Sequence, residues 1–129
     1  METGNILVYL CGLYSIGFAI FHMYFWKLFR WKKDLQHLSH ANRAIIQIAN
    51  LRLIYVFIFV GLICFLFPKE LTETNLGRFF LVGNAVFWLG RTIEQFVFLR
   101  VNHVMVHILT VLFIVGIVLF TLPLLIWFL

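Results

Sequence analysis

Gly90-Arg91-Thr92-Ile93-Glu94-Gln95 is a polar and charged stretch inside an otherwise apolar run from Phe79 to Leu99. A run of that length and composition is typical of a membrane-spanning helix. An ionisable group near the centre of such a helix costs about 2.5–3.5 kcal/mol on insertion scales. The two charged side chains of the stretch therefore need partners, and we expect Glu94 to contact Arg91, His107 or both.

The composition outside this stretch is that of an integral membrane protein. The chain has 129 residues, is 64% hydrophobic and only 12% charged. At about 20 residues for each membrane crossing, this length accommodates four spans and little else. The apolar segments lie at about residues 5–26, 44–67, 76–99 and 103–128. The sequence therefore predicts an all-α, antiparallel bundle of four transmembrane helices that forms a single membrane domain over residues 1–129.

The distribution of basic residues indicates how this bundle is oriented. The loop at residues 27–43 contains a single acid, Asp34, and five bases, which are Lys27, Arg30, Lys32, Lys33 and Arg43. By the positive-inside rule this loop is cytoplasmic, and both termini then face outward. We expect a bacterial inner membrane protein. Orientation and contacts with anionic lipid headgroups account for the formal charge of +5 without a nucleic acid partner.

The polar residues of the four spans concentrate toward the cytoplasmic side. Antiparallel threading brings the end of the first span, the start of the second, the end of the third and the start of the fourth to that side. A half-bundle with a polar lining and a dry outer end would form a blind intramembrane pocket open to the cytoplasm. The predicted ligand-binding residues are His22, Gln47, Asn50, Arg52, Arg91, Glu94, Gln95 and His107.

The charges in this set favour an anionic ligand. If Arg91 and Glu94 neutralise each other, Arg52 remains, and arginine grips a carboxylate or a phosphate headgroup with two hydrogen bonds. The sequence therefore predicts binding of an amphipathic or anionic molecule, with membrane lipids, an amphipathic small molecule or a second copy of the chain as partners. Two alternatives stay open: interhelical hydrogen bonds without any ligand, and an Arg52 that reaches for the membrane interface.

The histidines provide a different alternative, a membrane redox protein with a haem or a transition metal. His103 and His107 are four residues apart, which places two imidazoles on one helix face for a metal. His22 and His107 would be the axial ligands of a haem between the first and fourth spans. Because no HExxH motif accompanies these residues, the first expectation is that the protein has no cofactor.

Nucleophilic catalysis has no support in the sequence. Ser15 has no nearby acid, and no Ser/His/Asp or Cys/His arrangement can be built at one membrane depth. We therefore predict no catalytic residues and do not expect an enzyme.

Several local features predict how the helices begin and pack. Asp34 is an expected N-cap for a second helix that starts near Leu35, and Thr72 or Thr74 caps the third. Gly83 and Gly90, seven residues apart, predict a close-packing seam on the third helix. The two cysteines, Cys11 and Cys64, are expected to be buried free thiols, with a disulfide between them as the alternative.

Cysteine labelling tests the predicted orientation. With the two native cysteines replaced by alanine, Gln36→Cys should react with a membrane-impermeant maleimide only when the cytoplasmic side is accessible. Glu2→Cys should react from the outside of intact cells. Labelling of position 36 from outside, or of position 2 only from inside, would show that the orientation is wrong.

Overall fold

The computed structural model describes residues 3–128, with side chains over residues 3–126, and this part of the chain is helical without a strand. Four helices have 21 to 27 residues and the other α-helices are short. In chain order they are α1 (Thr3–Met23), α2 (Phe25–Leu28), α3 (Trp31–Asp34), a 3-10 turn (Leu35–His37), α4 (His40–Leu66), α5 (Pro68–Glu73), α6 (Asn75–Phe98) and α7 (Val104–Phe128). The predicted domain bounds also include residues 1, 2 and 129, which lie outside the described part.

Three of the described helices are long and apolar enough to cross a membrane. They are α1, α4 and the Val104–Ile126 part of α7. α6 has a comparable length of 24 residues. It is not among the three because Asn84 and the polar stretch at residues 90–95 lower its hydropathy. The helical class and three membrane-capable helices are therefore confirmed, whereas a fourth crossing and the antiparallel bundle stay predictions.

The start of the second long helix differs from the prediction. Asp34 ends α3, and α4 begins only at His40. Ser39 occupies the capping position: its Oγ accepts a hydrogen bond from the Asn42 backbone N–H at 3.3 Å. Serine is a preferred N-cap because its hydroxyl satisfies a backbone donor of the first turn. The predicted start near Leu35 was therefore wrong by about one and a half turns.

The start of the third long helix agrees with the prediction. Thr74 precedes α6 in an extended conformation, and its Oγ1 accepts a hydrogen bond from the Gly77 backbone N–H at 2.9 Å. The connection before it is not an irregular loop, because Pro68 opens the short helix α5. Proline is favoured at a first helical position, where its missing N–H has no partner to lose.

The segment between α1 and α4, residues 24–39, is called here the juxtamembrane segment. Arg30 has a φ of 51°, in the left-handed region that residues other than glycine seldom adopt. This conformation turns the chain between α2 and α3. Trp31 consequently returns to the preceding helix, with its ring centroid 5.8 Å from Phe25 and 5.3 Å from Trp26.

The chain packs as two units. The α1–α4 unit consists of Gly12–Ile63, and the α6–α7 unit consists of Met1–Cys11 and Cys64–Leu129. In the α1–α4 unit the two long helices approach closely at Gly61. A Cβ atom at Gly61 would lie 2.6 Å from Ile16 Cδ1 and 3.2 Å from the Gly12 carbonyl oxygen. A larger residue at this contact would require the Ile16 side chain to move.

The α6–α7 unit has an apolar core of large side chains. Leu81, Trp88, Phe113 and Phe120 are buried, and the rings of Trp88 and Phe113 stack with centroids 5.6 Å apart. The two cysteines are buried free thiols, as predicted, and Cys11 Sγ donates a hydrogen bond to the Leu119 carbonyl oxygen at 3.0 Å.

Substitution of Gly77 tests how tightly α5 packs on α6. A Cβ atom there would collide with backbone atoms of Glu70 and Leu71, which cannot rotate away as a side chain can. We expect Gly77→Ala to destabilise the protein by about 1–3 kcal/mol. Gly83→Ala is the matched control, because no atom lies within 4 Å of its Cβ position. Thermal unfolding in detergent measures both, and equal midpoints would contradict the close contact.

Candidate functional site

The predicted ligand-binding residues are divided between the two units. His22, Gln47, Asn50 and Arg52 belong to the α1–α4 unit, and Arg91, Glu94, Gln95 and His107 belong to the α6–α7 unit. In the α1–α4 unit the structure brings Asn50 and His22 into contact. The meeting of all eight residues in one pocket stays a prediction.

Asn50 joins the end of α1 to α4 through two hydrogen bonds. Its Nδ2 donates to the His22 carbonyl oxygen at 2.9 Å, and its Oδ1 lies 2.9 Å from His22 Nδ1. Because the amide directs its NH2 group at a carbonyl, its oxygen faces the imidazole, and Nδ1 must carry the proton. Asn50 is only 3% exposed. The His22 ring packs against Phe25 and Phe57, with centroids 4.1 and 5.2 Å away.

Gln47 forms a second link, one turn earlier on α4. Its Oε1 accepts a hydrogen bond from Trp26 Nε1 at 2.9 Å, and its Nε2 donates to the Arg43 carbonyl oxygen at 3.1 Å. Both ends of the amide are therefore used. The side chain of Gln47 holds the Trp26 indole against α4 and is itself held by its own helix.

A cleft of about 670 Å³ lies between the juxtamembrane segment and the start of α4. We call it the basic cleft. It is lined by Trp26, Lys27, Trp31, Lys32, Leu35, Gln36, Arg43 and Gln47. Three of these side chains are cationic and none is acidic. The volume is within the range of small-molecule sites, about 300–1,000 Å³.

The basic cleft shares only Gln47 with the predicted ligand-binding set. The sequence did contain a signal for it, since bases alternate with aromatic residues over residues 26–32. We interpreted that pattern only as a belt at the headgroup level. A concave site also requires the left-handed turn at Arg30, which returns Trp31 to Trp26.

Arg43 lines the basic cleft and carries a buried, unpaired donor. Its Nε atom is shielded from solvent and has no hydrogen-bond partner among the described residues. Most buried polar groups in proteins are hydrogen-bonded, so an unpaired guanidinium nitrogen is unusual.

Arg52 takes no part in the basic cleft. It is exposed on α4, and its guanidinium carbon lies 5.7 Å from the centroid of the Tyr55 ring one turn later. The sequence placed Arg52 well around the helix from Asn50. The burial of Asn50 and the exposure of Arg52 agree with that separation.

Arg91 packs against an aromatic ring and also interacts electrostatically with Glu94. Its guanidinium carbon lies 4.6 Å from the centroid of the Phe113 ring on α7. Glu94 is exposed, and its charge acts on Arg91, three residues earlier on the same helix. A direct contact of Glu94 with Arg91 or His107 at hydrogen-bond distance stays a prediction. The inward position belongs instead to the next residue, Gln95, which is 1% exposed and donates from Nε2 to the Val106 carbonyl oxygen at 3.2 Å.

The histidines of the α6–α7 unit have structural partners. His103 Nδ1 accepts a hydrogen bond from the Met105 backbone N–H at 3.1 Å and so caps the start of α7. His107 Nε2 lies 2.8 Å from Asn102 Oδ1. Residues 3–126 contain no group of three or more His, Cys, Asp or Glu side chains placed to hold a metal ion. The haem and metal alternatives gain no support from these contacts and stay predictions.

Substitution of Asn50 tests the link between α1 and α4. Asn50→Leu removes two hydrogen bonds between helices and should destabilise the protein by about 1–3 kcal/mol. Asn84→Leu is the matched control, because Asn84 Nδ2 donates only to the Phe80 carbonyl oxygen of its own helix, at 2.9 Å. Thermal unfolding in detergent compares them. A loss for Asn84→Leu as large as that for Asn50→Leu would contradict a special role for the link.

The chain was compared with known proteins at three levels. No family model, no curated protein and no solved structure matches it. The function is therefore argued from the geometry of the described residues alone.

Proposed function

We propose that this chain is a multi-pass membrane protein that binds the anionic headgroup of an amphipathic molecule in the basic cleft, on the cytoplasmic side of the membrane. The observation that carries the proposal is the lining itself, which combines three cations with two indole rings and includes no acid. In this proposal the anion site lies in the juxtamembrane segment and at the start of α4, outside the polar stretch at residues 90–95.

The cationic side chains give the cleft its preference for an anion. Lys27, Lys32 and Arg43 all line it, and no carboxylate in the lining competes with a ligand for them. Hydrogen bonds between a charged donor and an anionic oxygen are about twice as strong as neutral ones. Arg43 adds a guanidinium side chain to the two lysines of the lining.

The aromatic side chains give the cleft its preference for an amphipathic molecule. Trp26 and Trp31 meet edge to face, with an angle of 74° between their planes. Because the indole N–H of Trp26 is already bonded to Gln47, that side chain offers mainly its apolar ring. Tryptophan is enriched at the headgroup level of membranes, where a polar and an apolar region adjoin. A phospholipid has the same division between headgroup and acyl chains.

The predicted ligand residues of the α1–α4 unit acquire supporting roles. Gln47 positions Trp26, and the link between Asn50 and His22 fixes the point at which α1 ends. Arg91, Glu94, Gln95 and His107 are not needed for headgroup binding in the basic cleft. Binding of this kind requires no catalytic residue.

Two adjacent lysines provide a sharp test. Both are exposed, but Lys32 lines the basic cleft and Lys33 does not. Each basic residue near an anionic membrane contributes about 1 kcal/mol, or about fivefold in affinity. Lys32→Gln should therefore reduce the phosphatidylglycerol retained by the purified protein about fivefold, and Lys33→Gln should leave it unchanged. Native mass spectrometry after exchange into mixed phosphatidylglycerol and phosphatidylethanolamine measures the retention.

Arg43→Gln provides the second arm of this test. It removes the buried donor and should reduce phosphatidylglycerol retention at least as much as Lys32→Gln does. Retention of phosphatidylethanolamine should change in neither variant. If both lysine variants lose anionic lipid equally, the effect is one of general surface charge, and the basic cleft is not a specific site.

A further inference from the structure

Two of the long helices each expose one charged side chain in an otherwise apolar outward face. On α4 this residue is Arg52, and on α6 it is Glu94. Around Arg52 the exposed residues of the same face are Ile45, Ile48, Tyr55, Val56 and Phe59. Around Glu94 they are Leu76, Phe79, Val86, Phe87 and Val97.

These charges are costly if both faces contact only lipid. Arg52 lies about three turns or more from either end of α4, well inside the apolar segment. Charged side chains in membrane helices are found facing protein or water, or paired with one another. Glu94 lies about one turn before the end of α6. The two exposed residues have opposite charges, so each could neutralise the other.

The predicted topology gives the two helices opposite directions in the membrane. In that arrangement, α4 runs away from the cytoplasmic side and α6 runs toward it. Helical side chains lean toward the N-terminus of their own helix. Arg52 of one copy would therefore lean toward the cytoplasm, and Glu94 of another copy would lean toward the membrane centre.

The shapes of the two faces also match. Gly83 and Gly90 share the face of Glu94, and no atom of the described chain lies within 4 Å of a Cβ built at either position. The seam predicted for these glycines is thus not filled within the chain. In an antiparallel contact that sets Arg52 opposite Glu94, Val56 lies opposite Gly90. Val56 follows Arg52 by four residues, and Gly90 precedes Glu94 by four.

We infer that the outward face of α4 around Arg52 binds the outward face of α6 around Glu94 on a second copy of this chain. The Arg52–Glu94 pair between copies supplies the charge complementarity, and the glycines let the helix backbones approach. Because every copy carries both faces, this contact can be repeated from copy to copy, and it forms a ring where the rotation between copies closes.

Charge reversal tests the inference. Arg52→Glu and Glu94→Arg should each weaken association at least about tenfold, because each places like charges opposite one another. The double variant, R52E/E94R, should restore association to within about threefold of the original protein. Energy transfer between donor- and acceptor-labelled copies in liposomes, measured over a range of protein-to-lipid ratios, reports the association.

Leucine substitutions at two open glycines provide a matched control. Gly90 and Gly17 both have open space around the Cβ position, but Gly17 belongs to α1. Gly90→Leu should abolish energy transfer and Gly17→Leu should leave it unchanged, while circular dichroism shows equal helix content.

A monomeric original protein, a double reversal that fails to restore association, or equal behaviour of the two leucine variants would overturn the inference. None of these substitutions lies in the basic cleft, so phosphatidylglycerol retention should be unaffected in all of them.

Discussion

The two hydrogen bonds between Asn50 and His22 are the constraint on which the α1–α4 unit depends. They fix the last turn of α1 against a particular turn of α4. One turn further along the chain, Trp26 reaches the residue one turn earlier on α4, Gln47. The two contacts therefore form an antiparallel series that continues toward Arg43. The position of the basic cleft follows from this series. Its walls are formed by the juxtamembrane segment, which follows α1, and by the first turns of α4.

The charged residues of the long helices have a different environment at each position. Arg91 lies over the ring of Phe113, which accepts a cation without a carboxylate. Arg43 keeps a shielded, unpaired Nε atom and is one of the residues that line the basic cleft. Arg52 and Glu94 are exposed on α4 and α6, where the contact that we infer between copies would pair them.

The long helices and the Thr74 cap were predictable because they depend on local sequence, whereas the start of α4 and the partners of the polar side chains depended on the fold. Long apolar runs located the four long helices, and Thr74 was recognised because a hydroxyl before a helix satisfies a backbone donor. The juxtamembrane turn was not predicted, since Arg30 adopts a conformation that usually indicates glycine. At residues 90–95 we assumed that charges would pair. A rotation of about 100° between neighbouring residues instead buries Gln95 and exposes Glu94.

The link between His22 and Asn50 restrains the backbone of α1 as well as a side chain. The imidazole donates from Nδ1 to the Asn50 amide oxygen. The backbone carbonyl of the same histidine accepts from Asn50 Nδ2. Because one bond ends on the side chain and the other on the main chain, the single amide of Asn50 limits both rotation of the imidazole and sliding of the last turn of α1 along α4.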